Sequence, residues 1–282
     1  MHVCRMRLVP HSRAVPVDLG KRPENPVTGS RMRVLDLFCC AGGAAIGIRR
    51  AFDAVGVRVE IVGVDIKPRP RYPFSFVLGD ALDHARRAGE FDFVWASPPC
   101  QRYSVATPSA RRRRHPALVR KTRDLLLAAG IPFVIENVPG APLVDPVLLC
   151  GSMFEADENI LWEYVQCTPA DEPDDGLVKR MCSAARGRRM HVRRHRLFEP
   201  HGFEMRQPVC EHGLAAPPIE VAGSPDRRWG SKHRKAYHGW MAKAVLGIPP
   251  TYEMTFKEAA ECVPPPYAAF VIGEFLRSRE RQ

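Results

Sequence analysis

Five short apolar runs, each closing on a polar or reactive residue, constrain this chain most. Val34 to Phe38 leads into Cys39, Cys40 and the glycine pair Gly42-Gly43, and Val59 to Val64 closes on Asp65. Phe74 to Leu78 closes on Gly79-Asp80, Phe91 to Ala96 runs into Pro98-Pro99-Cys100-Gln101, and Pro132 to Ile135 closes on Glu136. Runs this short and this apolar suit strands buried on both faces. Between them, Ala44 to Phe52, Ala81 to Ala88 and Leu118 to Ala129 carry apolar residues at helical spacing, as do Ala242 to Leu246 and Phe270 to Leu276 near the end. The alternation predicts βαβ units, an α/β fold with a mostly parallel sheet covered by helices. Ligands of such sheets bind beyond the carboxyl ends of the strands, where Asp36, Asp65, Asp80, Cys100 and Glu136 are expected.

The remaining sequence divides by composition. Residues 1–30 hold Pro, Arg and polar residues without period and read as a flexible tail. Residues 31–156 and 240–282 carry the strand and helix patterns of one domain. Residues 157–239 have few apolar runs and two basic clusters, one from Arg186 to Arg196 and one from Arg227 to Lys235, and read as a small basic attachment. A net charge of +11 and a pI of about 9.5 favour a polyanionic partner, nucleic acid before an anionic membrane. No apolar run approaches the roughly 20 residues that span a bilayer, and Met1 to Pro10 lacks the apolar core of a secretory signal. The 9 cysteines are odd in number, and Cys39, Cys40 and Cys100 sit at apolar strand ends, which suits a reducing cytosol. Cys167, Cys182, Cys210 and His212 lack the paired spacing of a zinc motif, so no metal is expected. A monomer is expected.

Cys100 carries the most chemistry. A thiol at a strand tip can meet a ligand, and the two prolines before it fix the approach of the backbone. Glu136 follows the apolar Phe133-Val134-Ile135, where desolvation holds a carboxyl group in its acid form. The turn at Cys40 to Gly43 is not a G-x-G-x-x-G, which argues against a dinucleotide dehydrogenase.

In order along the chain, Asp36-Leu37-Phe38-Cys39-Cys40-Ala41-Gly42-Gly43, Gly63-Val64-Asp65, Gly79-Asp80, Pro98-Pro99-Cys100-Gln101, Glu136-Asn137-Val138, Arg194-His195-Arg196-Leu197-Phe198 and Val263 to Leu276 resemble the motifs of the DNA (cytosine-5) methyltransferases. The resemblance implies a Rossmann-like methyltransferase with a small irregular target-recognition region at 157–239. It implies transfer of a methyl group from S-adenosylmethionine to C5 of a cytosine flipped out of double-stranded DNA. The setting it implies is the cytoplasm of a bacterial or phage-infected cell, at the nucleoid, in restriction–modification. Cys100 would attack C6, Glu136 would donate a proton to N3, and nearby arginines with a cationic cofactor would favour the thiolate. Arg194 and Arg196 would hold the O2 edge, order the catalytic loop and pair with phosphate. Asn137 would fix backbone.

Phe38, Cys40, Ala41, Gly43, Asp65, Ile66, Asp80, Ala81 and Pro99 would line the cofactor pocket, Asp65 taking the ribose hydroxyls and Asp80 the adenine amine. Gln101, Ser104, Arg111, Arg112 and Arg113 would face DNA, the arginines on a basic loop that closes over the duplex. The chain departs from the family at Cys40, where a glycine is usual, at Val192, where glutamine is frequent, and at Val263 to Ala268, which replaces a Gly-Asn-Ser run. Tyr267 is the candidate substitute there. Two rival readings stay open: a tRNA cytosine-5 methyltransferase, and a catalytically impaired DNA-binding relative.

Overall fold

A computed structural model describes residues 31–154, 194–210, 212, 243–244 and 246–281. The expected tail at 1–30, most of the expected recognition region, and Val192 lie outside the described residues.

The apolar runs form the strands β1 (Met32–Leu37), β2 (Val59–Asp65), β3 (Ser75–Leu78), β4 (Phe93–Ala96) and β5 (Phe133–Asn137), all parallel to one another. Two further strands, β6 (Val147–Leu149) and β7 (Arg196–His201), complete a seven-stranded sheet of order β3-β2-β1-β4-β5-β7-β6. Between the strands lie α1 (Gly43–Ala54), α2 (Ala81–Ala85), the short α3 (Ser109–Arg112) and α4 (Val119–Ala129), followed near the chain end by α5 (Phe256–Glu261) and α6 (Pro265–Glu280). The Rossmann-like α/β architecture expected from the alternation is the one observed.

Strand alternation sends successive side chains to opposite faces, and both faces are dry. Val34, Phe93, Trp95, Val134 and Phe198 pack beneath α1 and α6 with Phe52, Tyr267 and Phe275. Leu35, Leu37, Val62, Val64, Phe133 and Ile135 pack on the other side with Ala85 and Leu126. Helix ends obey local chemistry. Gly130, with φ 68°, closes α4 in the left-handed region. Thr255 and Glu258 cap α5 reciprocally, the Thr255 Oγ1 accepting from Glu258 N at 3.2 Å and the Glu258 Oε2 accepting from Thr255 N at 2.8 Å. Helices α1 and α6 approach so closely that a Cβ on Gly47 would stand 2.1 Å from the Pro265 carbonyl oxygen.

One strand corrects the expected domain limits. β7 falls inside 157–239, yet it is a strand of the central sheet, paired antiparallel with both β5 and β6. Its alternation is masked in the sequence by the Arg, Glu, Pro and His it carries. Because β7 runs against its neighbours, its first residues, not its last, meet the carboxyl ends of β4 and β5. Glu136 stands opposite Phe198 and Asn137 opposite Leu197.

Candidate active site

At the end of β1 the chain makes a turn in which Phe38, Cys40 and Gly42 have φ of 58°, 49° and 88°. Left-handed backbone costs a non-glycine residue roughly 1–2 kcal/mol, so glycine suits position 40 sterically and Cys40 is held there by its neighbours. The Cys40 N–H donates to Asp65 Oδ2 at 3.1 Å, the Lys67 N–H donates to Asp65 Oδ1 at 2.9 Å, and Arg69 Nη2 lies 2.9 Å from Asp65 Oδ2. Asp65, expected to be open to a ribose, is therefore buried and already engaged. Asp36, expected beyond the strand end, sits within β1 instead, 1% exposed, and accepts from the Tyr72 hydroxyl at 3.0 Å.

Asp80 caps α2, its Oδ1 accepting from Leu82 N at 2.8 Å, and the residue is otherwise exposed. Ile66 and Leu78 project at the ends of β2 and β3, 71% and 59% exposed. The Ala41 and Ala81 side chains are buried in the core and Gly43 is buried too, while Phe38, Cys40 and Pro99 are half-buried. The set fits a nucleoside-bearing cofactor: two exposed apolar side chains at neighbouring strand ends, carboxylates beside them, and a tight backbone turn. Arg69, Tyr72 and Leu78 were not singled out in the sequence, where no motif marks them.

The strand ends β4 and β5 hold the reactive groups. Asn137 Nδ2 donates to the Pro98 carbonyl at 2.8 Å and its Oδ1 accepts from Val138 N at 2.9 Å, so Asn137 fixes the backbone leading to Cys100. Beyond it, the amides of Tyr103 and Ser104 both donate to the Cys100 carbonyl at 2.9 Å. Glu136, 6% exposed, lies with its Oε1 3.0 Å from Arg196 Nε. Burial pushes the Glu136 carboxyl up, against the opposing pull of Arg196, a hydrogen bond from Ser97 and the charge of Arg194. The Cys100 thiol is pushed up too, by burial first and by the charge of Glu136 second, with Arg196 and Arg194 pulling it down. In the chain alone desolvation outweighs the arginines, whereas the expected thiolate bias drew on a cationic cofactor as well. Cys100, Glu136, Arg194 and Arg196 are thus close enough to influence one another.

Arg194 is 9% exposed, and its Nε and Nη1 have no hydrogen-bond partner among the described residues. Its own carbonyl accepts from the Tyr267 hydroxyl at 2.7 Å. Tyr267, 1% exposed, therefore anchors the strand start and is not a polar group offered to a cofactor. The basic loop is partly self-organised. Arg112 Nε donates to the Thr107 carbonyl at 2.9 Å and Arg102 Nη1 to the Arg113 carbonyl at 2.8 Å. Arg112 thus holds the loop, whereas Gln101, Arg111 and Arg113 are exposed and Ser104 Oγ accepts from Ala106 N at 3.2 Å.

Near the start of β7, the ligating atoms of Cys150, His195, Cys210 and His212 all lie within 4.8 Å of one another. The expectation of no metal rested on spacing along the chain, and the fold brings together donors from three separate segments. No helix among the described residues is long and apolar enough to cross a membrane.

The fold is a Rossmann-like α/β architecture, a mostly parallel seven-stranded sheet with helices packed on it. The chain is 24% identical over 148 residues to the type II methyltransferase M1.BsuMI of Bacillus subtilis, a stretch that is 43% of this chain and 35% of that protein. The chain thus spans about a third of that relative's length. The methyltransferase EhMeth of Entamoeba histolytica aligns over 90% of this chain and 99% of its own, at 13% identity and a TM-score of 0.43. No protein-family model matches the chain.

Proposed function

We propose that this protein is an S-adenosylmethionine-dependent DNA (cytosine-5) methyltransferase. The observation that carries the reading is the gathering of Cys100, Glu136, Arg194 and Arg196 at one sheet edge, with Glu136 biased toward its acid form. The similarity to a methyltransferase supports the general activity. Basic charge and the type II relative support DNA as the substrate.

When bound, S-adenosylmethionine supplies an electrophilic methyl group. Phe38, Ile66 and Leu78 would hold its apolar and aromatic parts, Asp65 and Asp80 its polar ones. The remaining chemistry belongs to the chain. Cytosine C5 is a poor nucleophile until a thiolate adds at C6. Protonated Glu136 would donate its proton to N3, where the electron density pushed into the ring by the thiolate collects, and would be left as the carboxylate. Its proton also serves Cys100, because a neutral Glu136 removes the negative charge that opposes the thiolate and leaves Arg196 and Arg194 to favour it. The two groups are coupled in the direction the reaction needs. The two unpartnered buried nitrogens of Arg194 offer donors for the O2 edge of the base.

The test is covalent trapping on a duplex carrying 5-fluorocytosine in the presence of S-adenosylmethionine. The wild-type chain is expected to form a denaturation-resistant adduct, and Cys100→Ser to form none while retaining duplex binding. An adduct with tRNA but not with DNA would overturn the substrate. Duplex binding with no adduct to either nucleic acid would overturn the enzyme.

A further inference from the structure

The cluster at Cys150, His195, Cys210 and His212 has a chemistry unconnected with methyl transfer. Cys150 follows β6 and is fully buried, His195 precedes β7, and Cys210 and His212 lie on the irregular segment that returns after β7. The Cys210 Sγ is 2.9 Å from His212 Nε2 and 3.5 Å from His195 Nε2, and the Cys150 Sγ is 3.3 Å from His212 Nε2. Both imidazoles therefore aim Nε2 at sulfur, and all four ligating atoms share one small volume. Around a tetrahedral zinc ion with Zn–S of about 2.3 Å and Zn–N of about 2.0–2.1 Å, neighbouring S and N ligands are separated by about 3.6 Å. The separations of 3.3 and 3.5 Å lie close to that edge length, the 2.9 Å pair is about 0.7 Å inside it, and all four atoms fall within 4.8 Å of one another, so small side-chain shifts would seat an ion.

The geometry points to a structural zinc site of the two-cysteine, two-histidine type. Thiolate with imidazole in a tetrahedral arrangement is the donor set of zinc. Two thiolates and a divalent ion sum to zero charge, which a fully buried Cys150 tolerates and a lone thiolate would not. Four protein ligands leave no open position, so the ion would hold structure and not activate water. Beside the cluster, the Ser152 hydroxyl stands 3.6 Å from Cys210 Sγ, as an outer partner of a metal-bound sulfur should.

The surrounding chain has reason to need such a clip. Residues 203–210 form no helix or strand. They are tied to the sheet by Gln207, whose Oε1 accepts from Leu148 N at 2.9 Å and whose Nε2 donates to the Leu148 carbonyl at 2.8 Å. A metal at the neighbouring cluster would lock the end of β6, the start of β7 and this return to one another. His195 lies between Arg194 and Arg196, so its ligation would also fix where both arginine stems leave the backbone.

The test uses the full chain purified through tag-free chromatography and dialysed into metal-free buffer. Elemental analysis should find about one zinc per chain, and Cys210→Ser and His212→Ala should each reduce this to near zero. Since those variants could unfold, the unsubstituted chain is also exchanged into cobalt. Tetrahedral ligation by two sulfurs predicts intense visible d–d bands and sulfur-to-cobalt charge-transfer absorption in the near ultraviolet. A folded wild-type chain that holds no zinc overturns the inference, as does bound iron in its place. Cobalt with the weak spectrum of an octahedral oxygen site, or zinc retained at full occupancy in both variants, overturns it equally.

Discussion

Asp36 gives the sharpest thermodynamic consequence of the fold. Its carboxyl is buried in β1, and desolvation raises its pKa from 3.8 to about 7 despite the hydrogen bond from Tyr72, with the charge of Asp65 adding to the rise. The folded chain therefore binds this proton more tightly than the unfolded chain does. The sign follows from linkage. Below the unfolded pKa both states are protonated and Asp36 is neutral in effect. As pH rises from about 4 the unfolded state ionises first, and folding loses about 1.4 kcal/mol per pH unit until the folded carboxyl titrates near 7. The full cost is about 4 kcal/mol and is reached near pH 8. Asp36→Asn keeps the shape and an acceptor for Tyr72 but cannot ionise. Urea unfolding of both proteins at pH 5 and pH 8 is expected to show the stability difference, variant minus wild type, growing by about 2–3 kcal/mol in favour of the variant. A difference that stays constant over that range would refute the claim that Asp36 is protonated by burial.

Three further outcomes follow from the site and its support. Arg123 holds the buried Glu199 through contacts of 2.6 Å from both Nε and Nη2, and Arg123→Met takes away its counter-charge while leaving the Val144 amide, which donates to Oε2 at 2.8 Å. A loss of about 3–5 kcal/mol in urea unfolding is expected, largely recovered in the Arg123→Met, Glu199→Gln double variant. Glu136→Gln removes the negative charge that raises the Cys100 pKa. The pH profile of Cys100 alkylation, with Cys100→Ser as the blank, should move to lower pH, and an unmoved profile would break the coupling between the two groups. Cys40→Gly relieves a left-handed residue at roughly 1–2 kcal/mol, against roughly 0.5–1 kcal/mol of added chain entropy. A melting temperature equal to or modestly above wild type is expected, and a clear fall would mean that Cys40 contributes contacts beyond its backbone.

The parallel half of the sheet was legible in the sequence because β1, β2, β4 and β5 are buried on both faces and read as largely apolar runs, with the half-buried β3 following at their edge. Cys100 and Glu136 were legible for the same reason, since the run ends mark where such a sheet presents its ligands. β7 was not, because Arg196, Glu199, Pro200 and His201 interrupt its pattern: Glu199 is satisfied by Arg123, an ion pair between residues far apart in the chain. The occupancy of Asp65 was hidden as well. It depends on amides in a turn whose left-handed residues no composition announces, and on Arg69, which reaches back from the loop after β2. The Cys and His cluster could have been found only by pairing β6 with β7, because its donors come from segments far apart in sequence.

Tyr267 touches both margins of the gap between β6 and β7. Its ring lies 5.1 Å from that of Phe154, and its hydroxyl holds the carbonyl of Arg194. The two described ends of the chain, at Phe154 and at Arg194, are thus held near one another by one side chain from α6. Loop closure grows only slowly with length, so a stretch pinched in this way can be lengthened, shortened or exchanged as a cassette. The sheet would keep its register whatever joined those two ends.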